Sequence, residues 1–75
     1  MKCFNVGILG TGSIAQSMAF TLNALKDKGE VVPYAIASRS LKKAENFARE
    51  WHFEKAYSSY EALVSDPAVH LIYIA

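Results

Sequence analysis

The sequence has no surplus of either charge and contains a single cysteine. Eight Lys and Arg residues stand against seven Asp and Glu, a formal net charge of +1, whereas a domain that binds nucleic acid needs a clear basic excess. Cys3 has no second cysteine to pair with, and no Cys/His cluster has the spacing of a zinc site. These absences argue against a nucleic-acid partner, a metal centre and a disulfide scaffold, and they favour a reducing, cytoplasmic setting.

Long, purely apolar runs are also missing. Residues 3–25 carry no charge, which raises the question of a membrane span or a secretory signal. Polar residues and three glycines interrupt this stretch, so neither is expected and no membrane partner is predicted. A composition of 52% hydrophobic and 20% charged residues excludes disorder. Because 75 residues form one small domain at most, the chain is either a miniature protein or the front part of a larger one. The apolar run at residues 69–75 has the character of a buried strand and no helix follows it, so we interpret the chain as truncated.

Apolar runs alternate with helical patterns along the whole chain. The predicted strands cover residues 4–9, 34–38, 55–57 and 69–75, and Pro33 is expected to mark the start of the second strand because it cannot donate a ladder hydrogen bond. The predicted helices begin at Ser13, after a cap at Ser40, and after a capping box formed by Ser58 and Glu61. This alternation predicts an α/β fold with a doubly wound parallel sheet.

The most informative segment is the G-x-G-x-x-A motif from Gly10 to Ala15, which directly follows a strand and opens a helix. Gly10 permits the tight turn, and Gly12 lets the backbone approach a pyrophosphate. The helix N-terminus offers N–H groups and a partial positive charge to the phosphates. The motif therefore predicts dinucleotide binding. A glycine turn that binds nothing is the alternative.

The second strand lacks the acidic residue that usually accepts both adenosine ribose hydroxyls of NAD. No Asp or Glu occurs between Glu30 and Glu45, and Ser38 and Arg39 occupy the expected position, followed by Lys42 and Lys43. A hydroxyl with an arginine suits a 2'-phosphate, because a guanidinium can bond it in bidentate fashion. NADP is therefore favoured over NAD. The alternative is an ordinary solvated start of a helix.

The residues give little support for a metal site, a P-loop NTPase or a methyltransferase. His52 and His70 lack partners at metal-ligand spacing and are interpreted as structural. No G-K-[ST] is present, which excludes a P-loop NTPase. An S-adenosylmethionine methyltransferase also uses a glycine turn, but it too needs an acid near the end of the second strand, so that interpretation is disfavoured.

Three segments together resemble the N-terminal part of the Gfo/Idh/MocA oxidoreductases: VGILGTGSIAQSMAFTL, AIASRSLKKAENFARE and AYSSYEALVSDPAVHLIYIA. The resemblance implies a Rossmann domain for NAD or NADP, followed by a substrate domain that this chain lacks. It implies pyrophosphate contacts at Gly10, Thr11, Gly12, Ser13 and Ile14, 2'-phosphate contacts at Ser38, Arg39 and Lys43, and a position near the nicotinamide ribose for Ala75. The catalytic residues of the family would follow Ala75, so none is assigned. His52 and His70 depart from the family pattern, which commonly has glycine and aspartate there.

We therefore expect residues 1–75 to be the N-terminal part of a dinucleotide-binding domain. The intact protein is expected to be an NADP-preferring oxidoreductase of sugar, polyol or related diol substrates, and a homo-oligomer. The rival hypothesis is a dinucleotide-sensing binding module without chemistry, built on the same fold.

Overall fold

The computed structural model describes residues 4–75, so Cys3 and the inferences that rest on it lie outside the described residues. The strands are β1 (Phe4–Leu9), β2 (Val31–Ala37), β3 (Lys55–Tyr57) and β4 (Leu71–Ile74). The helices are α1 (Ser13–Lys26), α2 (Leu41–Trp51) and α3 (Tyr60–Val64). The predicted alternation of strands and helices is confirmed in every element.

The four strands form one parallel sheet in the order β3-β2-β1-β4. Helices cover both of its faces, which explains why β1 and β2 are apolar at successive positions rather than at every second one. On one face, α1 and α2 pack on a cluster that includes Val6, Ile8 and Ile36. On the other face, Leu63 of α3 packs with residues of β1 and β2. The predicted α/β doubly wound fold is confirmed.

Close packing of α3 depends on the absence of a side chain in the middle of β1. A Cβ atom placed on Gly7 would lie 2.7 Å from Cδ2 of Leu63 and 3.2 Å from Cγ1 of Val69. Leu63 is fully buried, so it has no open space into which it could move. Gly7 therefore lets a short helix lie directly against the sheet.

The start of the second strand differs from the prediction. β2 begins at Val31 and contains Pro33, which pairs with Val6, whereas the next residue of β1, Gly7, pairs with Ala35. Tyr34 is thus the extra residue of an irregularity in the ladder. Such a bulge tolerates a residue without an N–H inside a strand, which is why Pro33 does not delay the strand. The strand ends at Ala37, so Ser38 lies just beyond it.

Of the two helix caps predicted from serine residues, one is correct and the other is wrong. Ser40 caps α2 as predicted, its Oγ accepting from the N–H of Lys43 at 3.3 Å. In α3 the cap is Ser59, whose Oγ accepts from the N–H of Ala62 at 3.1 Å, and not Ser58. The helix begins one residue later than the capping box requires. Glu61 therefore lies in its first turn, where the positive end of the helix dipole stabilises its negative charge.

The last strand is shorter than predicted and lies at an edge of the sheet. β4 covers Leu71–Ile74 and pairs with β1, while Val69 donates to the carbonyl of Asp66 at 3.1 Å in the preceding turn. All four β4 side chains are exposed, from 41% at Ile72 to 82% at Ile74. Beside β4, an apolar groove of about 330 Å³ runs along α1.

Within the described part of the chain, no helix is both long and apolar enough to cross a bilayer.

Candidate functional site

Three of the predicted site segments meet at the carboxyl ends of neighbouring parallel strands. Gly10 follows β1, Ser38 follows β2, and Ala75 follows β4. Backbone bonds join them: the N–H of Gly10 donates to the carbonyl of Ala37 at 2.8 Å, and the N–H of Ala75 donates to the carbonyl of Leu9 at 3.0 Å. In open α/β sheets, this edge is where ligands bind.

The two glycines of the turn have different roles. Gly10 has φ +114°, and a Cβ there would lie 3.3 Å from the carbonyl oxygen of Ala75. This residue is a glycine because of its backbone conformation and its close neighbour. Gly12 has φ −77°, which any residue can adopt, and a Cβ there would meet no atom within 4 Å. Neither conformation nor packing explains Gly12, which leaves open space directly over the start of α1.

The N-terminus of α1 differs from those of the other two helices. Gly12 is its N-cap and supplies no side-chain hydrogen bond, and its first turn contains no acidic residue. By contrast, serine side chains cap both α2 and α3. The first intrahelical bond runs from the N–H of Gln16 to the carbonyl of Gly12 at 3.0 Å, so the N–H groups of Ser13 and Ile14 precede it. These donors and the helix dipole form an environment that favours an anion.

The second predicted segment is a short loop that is folded on itself. Ser38 is buried, and its Oγ accepts from the N–H of Ser40 at 3.3 Å. Arg39 is exposed between them, and Lys43 is exposed in the first turn of α2. That turn contains no acidic residue, although cations are unfavourable near a helix N-terminus. A bound anion would compensate for this cluster of positive charge.

A main-chain hydrogen bond joins the glycine turn to the end of β2. The Gly10 bond to Ala37 ties the glycine turn to the residue directly before Ser38. Thr11 is half-buried, and Ser13 and Ile14 are exposed at the start of α1. Arg39 follows β2, and Lys43 lies in the first turn of α2. A ligand long enough to contact both segments would lie across the ends of β1 and β2, the position that a dinucleotide occupies in this type of fold.

Two residues near the site were not predicted to have a role in it. The carbonyl of Tyr57 accepts from the N–H of Ser38 at 3.1 Å, and the hydroxyl of Tyr57 donates to Oδ2 of Asp66 at 2.5 Å. This hydrogen bond, together with burial, raises the pKa of Tyr57 to about 12, and it is the main cause of the lowered pKa of the Asp66 carboxyl. The sequence does not predict this contact, because the bond between Tyr57 and Asp66 depends on the turn that follows α3.

The remaining candidate residues lie away from this site. His52 ends α2 in the left-handed conformation, with φ +63°, where a glycine is common. Nδ1 of His70 accepts from the N–H of Asn5 at 2.9 Å, at the opposite end of the sheet. Among residues 4–75, no group of three His, Cys, Asp or Glu side chains could hold a metal ion.

The known proteins to which this chain is similar include dehydrogenases that share one name. The chain is 42% identical over 69 residues to a trans-1,2-dihydrobenzene-1,2-diol dehydrogenase of Mus musculus, covering 92% of this chain and 20% of that protein. The enzyme of the same name from Xenopus tropicalis is 41% identical over 68 residues, covering 91% of this chain and 20% of the relative. The chain thus spans about a fifth of the length of these relatives.

Solved structures agree with the fold over nearly the whole chain. Levoglucosan dehydrogenase in complex with NADH and L-sorbose superposes with a TM-score of 0.91 at 26% identity, covering 100% of this chain and 21% of that one. A 3-ketoreductase variant from Actinomadura kijaniata, in complex with TDP-benzene and NADP, gives a TM-score of 0.78 at 30% identity, covering 96% of this chain and 21% of that one.

A family model described as an oxidoreductase family with an NAD-binding Rossmann fold matches residues 4–75. Its match includes the glycine turn, the Ser38 loop and Ala75. The chain therefore belongs to the Gfo/Idh/MocA oxidoreductases and lies within their NAD-binding Rossmann domain.

Proposed function

We propose that this chain is the cofactor-binding part of an NADP-preferring oxidoreductase of sugar, polyol or related diol substrates. The observation that carries the proposal is the open space over Gly12 at the uncapped N-terminus of α1. A pyrophosphate there would accept hydrogen bonds from the first turn of the helix. The residues present therefore fit a dinucleotide, and Gly10, Thr11, Gly12, Ser13 and Ile14 would hold its phosphates.

The preference for NADP rests on the loop after β2. Arg39 and Lys43 supply positive charge, and no acidic side chain is present there to repel a 2'-phosphate or to bind two ribose hydroxyls. The buried Ser38 accepts from Ser40 through one lone pair of its Oγ, which leaves its hydroxyl hydrogen to donate to a phosphate oxygen. Together these residues would favour NADP, with NAD as the weaker ligand.

The nicotinamide of the bound cofactor supplies hydride exchange with a carbinol or carbonyl carbon. Residues of this chain bind and orient the cofactor, and Ala75 would lie beside the nicotinamide ribose. The diol dehydrogenases and the levoglucosan dehydrogenase among its relatives support a small polyhydroxylated substrate. A cytoplasmic location and a homo-oligomeric state complete the proposal.

Titration with NADP and with NAD tests the proposal. A charge-assisted hydrogen bond contributes about 1.5 to 3 kcal/mol, so with partial exposure we expect NADP to bind roughly tenfold to a hundredfold more tightly. Arg39→Asp should reverse the preference toward NAD. Arg49→Asp changes the net charge equally but lies in the last turn of α2, and it should leave the preference unchanged.

Four outcomes would each contradict a part of the proposal. Equal affinities in the parent protein, or no change in Arg39→Asp, would remove the assignment of NADP. In the intact protein, cofactor binding without hydride transfer to any polyol or diol would favour the dinucleotide-sensing module instead. Failure to bind either dinucleotide would mean that the glycine turn is only a turn.

A further inference from the structure

Tyr57 connects the Ser38 loop to the turn after α3 through two different groups. Its carbonyl accepts from the N–H of Ser38 at 3.1 Å, and its hydroxyl donates to Oδ2 of Asp66 at 2.5 Å. Tyr57 is the last residue of β3, a strand of three residues at the edge of the sheet. Because so short a strand has few ladder bonds, the side-chain bond is a substantial part of what holds its end.

Asp66 is itself firmly held. Its Oδ1 accepts from the N–H of Ala68 at 2.8 Å, its own N–H donates to the carbonyl of Leu63 at 3.1 Å, and its carbonyl accepts from Val69 at 3.1 Å. Leu63 is fully buried against the sheet. The carboxylate is therefore a fixed anchor, and a hydrogen bond from a phenol to an ionised carboxylate is among the stronger kinds.

A continuous series of hydrogen bonds leads from this anchor to the proposed phosphate site. The carbonyl of Tyr57 holds the N–H of Ser38. The Oγ of Ser38 in turn accepts from the N–H of Ser40 at 3.3 Å, and the Oγ of Ser40 accepts from the N–H of Lys43 at 3.3 Å. The loop that carries Arg39 thus depends on the position of the Tyr57 carbonyl. The glycine turn does not depend on it in the same way, because Gly10 bonds directly to Ala37 of β2.

We infer that Tyr57, anchored by Asp66, is a positioning residue for the loop that selects between NADP and NAD. The inference rests on the proposed function, since it concerns the same site. Without the phenol hydroxyl, the end of β3 is free to shift and Ser38 loses its fixed partner. Binding of the 2'-phosphate should weaken, while the pyrophosphate contacts over Gly12 remain.

The test compares Tyr57→Phe with Tyr34→Phe. The Tyr34 ring packs on the same small cluster as Tyr57, so the second variant removes a hydroxyl from a similar environment without touching Asp66. In Tyr57→Phe we expect the dissociation constant for NADP to rise about fivefold to tenfold and that for NAD to rise less than twofold. Tyr34→Phe should change neither. Asp66→Asn keeps an acceptor for Ala68 and should move the ratio in the same direction as Tyr57→Phe.

Amide hydrogen exchange gives a second measurement that needs no ligand. Exchange at the Ser38 N–H should be faster in Tyr57→Phe than in the parent, because its acceptor is less well held, whereas exchange at the Gly10 N–H should be unchanged. Should Tyr57→Phe fail to fold, both measurements apply to Asp66→Asn.

The outcomes separate this inference from the proposed function. An unchanged NADP to NAD ratio with unchanged Ser38 exchange would overturn the positioning role alone. Equal losses of NADP and NAD would overturn it as well, because they would indicate general destabilisation. A parent protein that binds neither dinucleotide would contradict the proposed function, and any selective role for Tyr57 would then be overturned with it.

Discussion

One hydrogen bond joins the backbones of Asn5 and His70, and the imidazole of His70 accepts a second one from Asn5. The N–H of His70 donates to the carbonyl of Asn5 at 2.8 Å, and the N–H of Asn5 donates to Nδ1 of His70 at 2.9 Å. The Phe4 ring meets the imidazole in an edge arrangement with centroids 6.1 Å apart. Because Nδ1 accepts, the neutral ring carries its proton on Nε2. This side chain therefore closes the β1 and β4 ladder at the end opposite the glycine turn.

Replacing His70 should destabilise the fold without affecting cofactor binding. In His70→Ala the N–H of Asn5 loses its acceptor, so we expect the free energy of unfolding to fall by about 1 kcal/mol. His70→Asp offers a carboxylate acceptor and should lose less. Urea denaturation of the three proteins measures both effects, and an aspartate variant less stable than the alanine variant would contradict the role of Nδ1 as acceptor.

Substitution of Gly12 should affect dinucleotide binding, whereas substitution of Gly10 should affect stability. Gly12→Val should abolish dinucleotide binding and leave the circular dichroism spectrum largely unchanged, because its side chain would fill the open space proposed for the pyrophosphate. Gly10→Ala should lower stability by about 1 kcal/mol or more, since Gly10 has a positive φ and closely approaches Ala75. Cofactor titration and thermal unfolding separate the two. A folded Gly12→Val variant that still binds would contradict the assignment.

The bond between Tyr57 and Asp66 should make stability depend on pH at both extremes. The folded pKa of Tyr57, about 12, exceeds its ordinary value of 10.0, so the unfolded chain loses this proton first and the stabilisation should disappear between pH 10 and about 12. The pKa of Asp66 is lowered on folding, so its contribution is present above the ordinary carboxyl range and is lost as the pH falls through the folded value.

A comparison with Tyr57→Phe isolates this pair from the other titrating groups. The difference in urea midpoint between the parent protein and the variant should be greatest near neutral pH and should shrink above pH 10 and in acid. A difference that stays constant from pH 7 to 11.5 would contradict the prediction.

The exposed edge of β4 should make this 75-residue chain associate with itself. Leu71–Ile74 contains no charge and no proline, and its side chains are exposed on both faces of the sheet, whereas the opposite edge strand, β3, is shorter and carries Lys55. Unprotected edges of this kind pair with other copies. Light scattering should give a mass that rises with concentration, and Ile74→Lys should reduce it. A parent chain that stays monomeric at every concentration would contradict the prediction.

Much of the fold is predictable from the sequence because its elements are marked locally. The change from an apolar run to a helical period at Ser13 and the cap at Ser40 each depend on neighbouring residues alone. The start of β2 is not predictable in this way, because a bulge at Tyr34 accommodates the missing N–H of Pro33 and a bulge depends on the partner strand. The cap of α3 was misplaced by one residue because Ser58 and Ser59 are both suitable caps, and the final choice depends on packing.

The candidate site was predictable only where a residue type has a special backbone property or charge. Gly10, Gly12 and Arg39 are recognisable in this way. The contacts of Tyr57 with Asp66 and of Asn5 with His70 were not, because they join residues whose proximity arises from the sheet order and from turns of ordinary composition.

The bonds that join the site segments have a consequence for how cofactor preference can evolve. The bonds from Gly10 to Ala37, from Ala75 to Leu9 and from Ser38 to Tyr57 all join main-chain atoms, and none of them involves the side chain of residue 39 or 43. Mutation can therefore change the exposed residues at positions 39 and 43 while the framework that presents them persists. With the roles proposed for these two residues, few substitutions would separate one cofactor specificity from the other, and we expect the intermediate variants to fold.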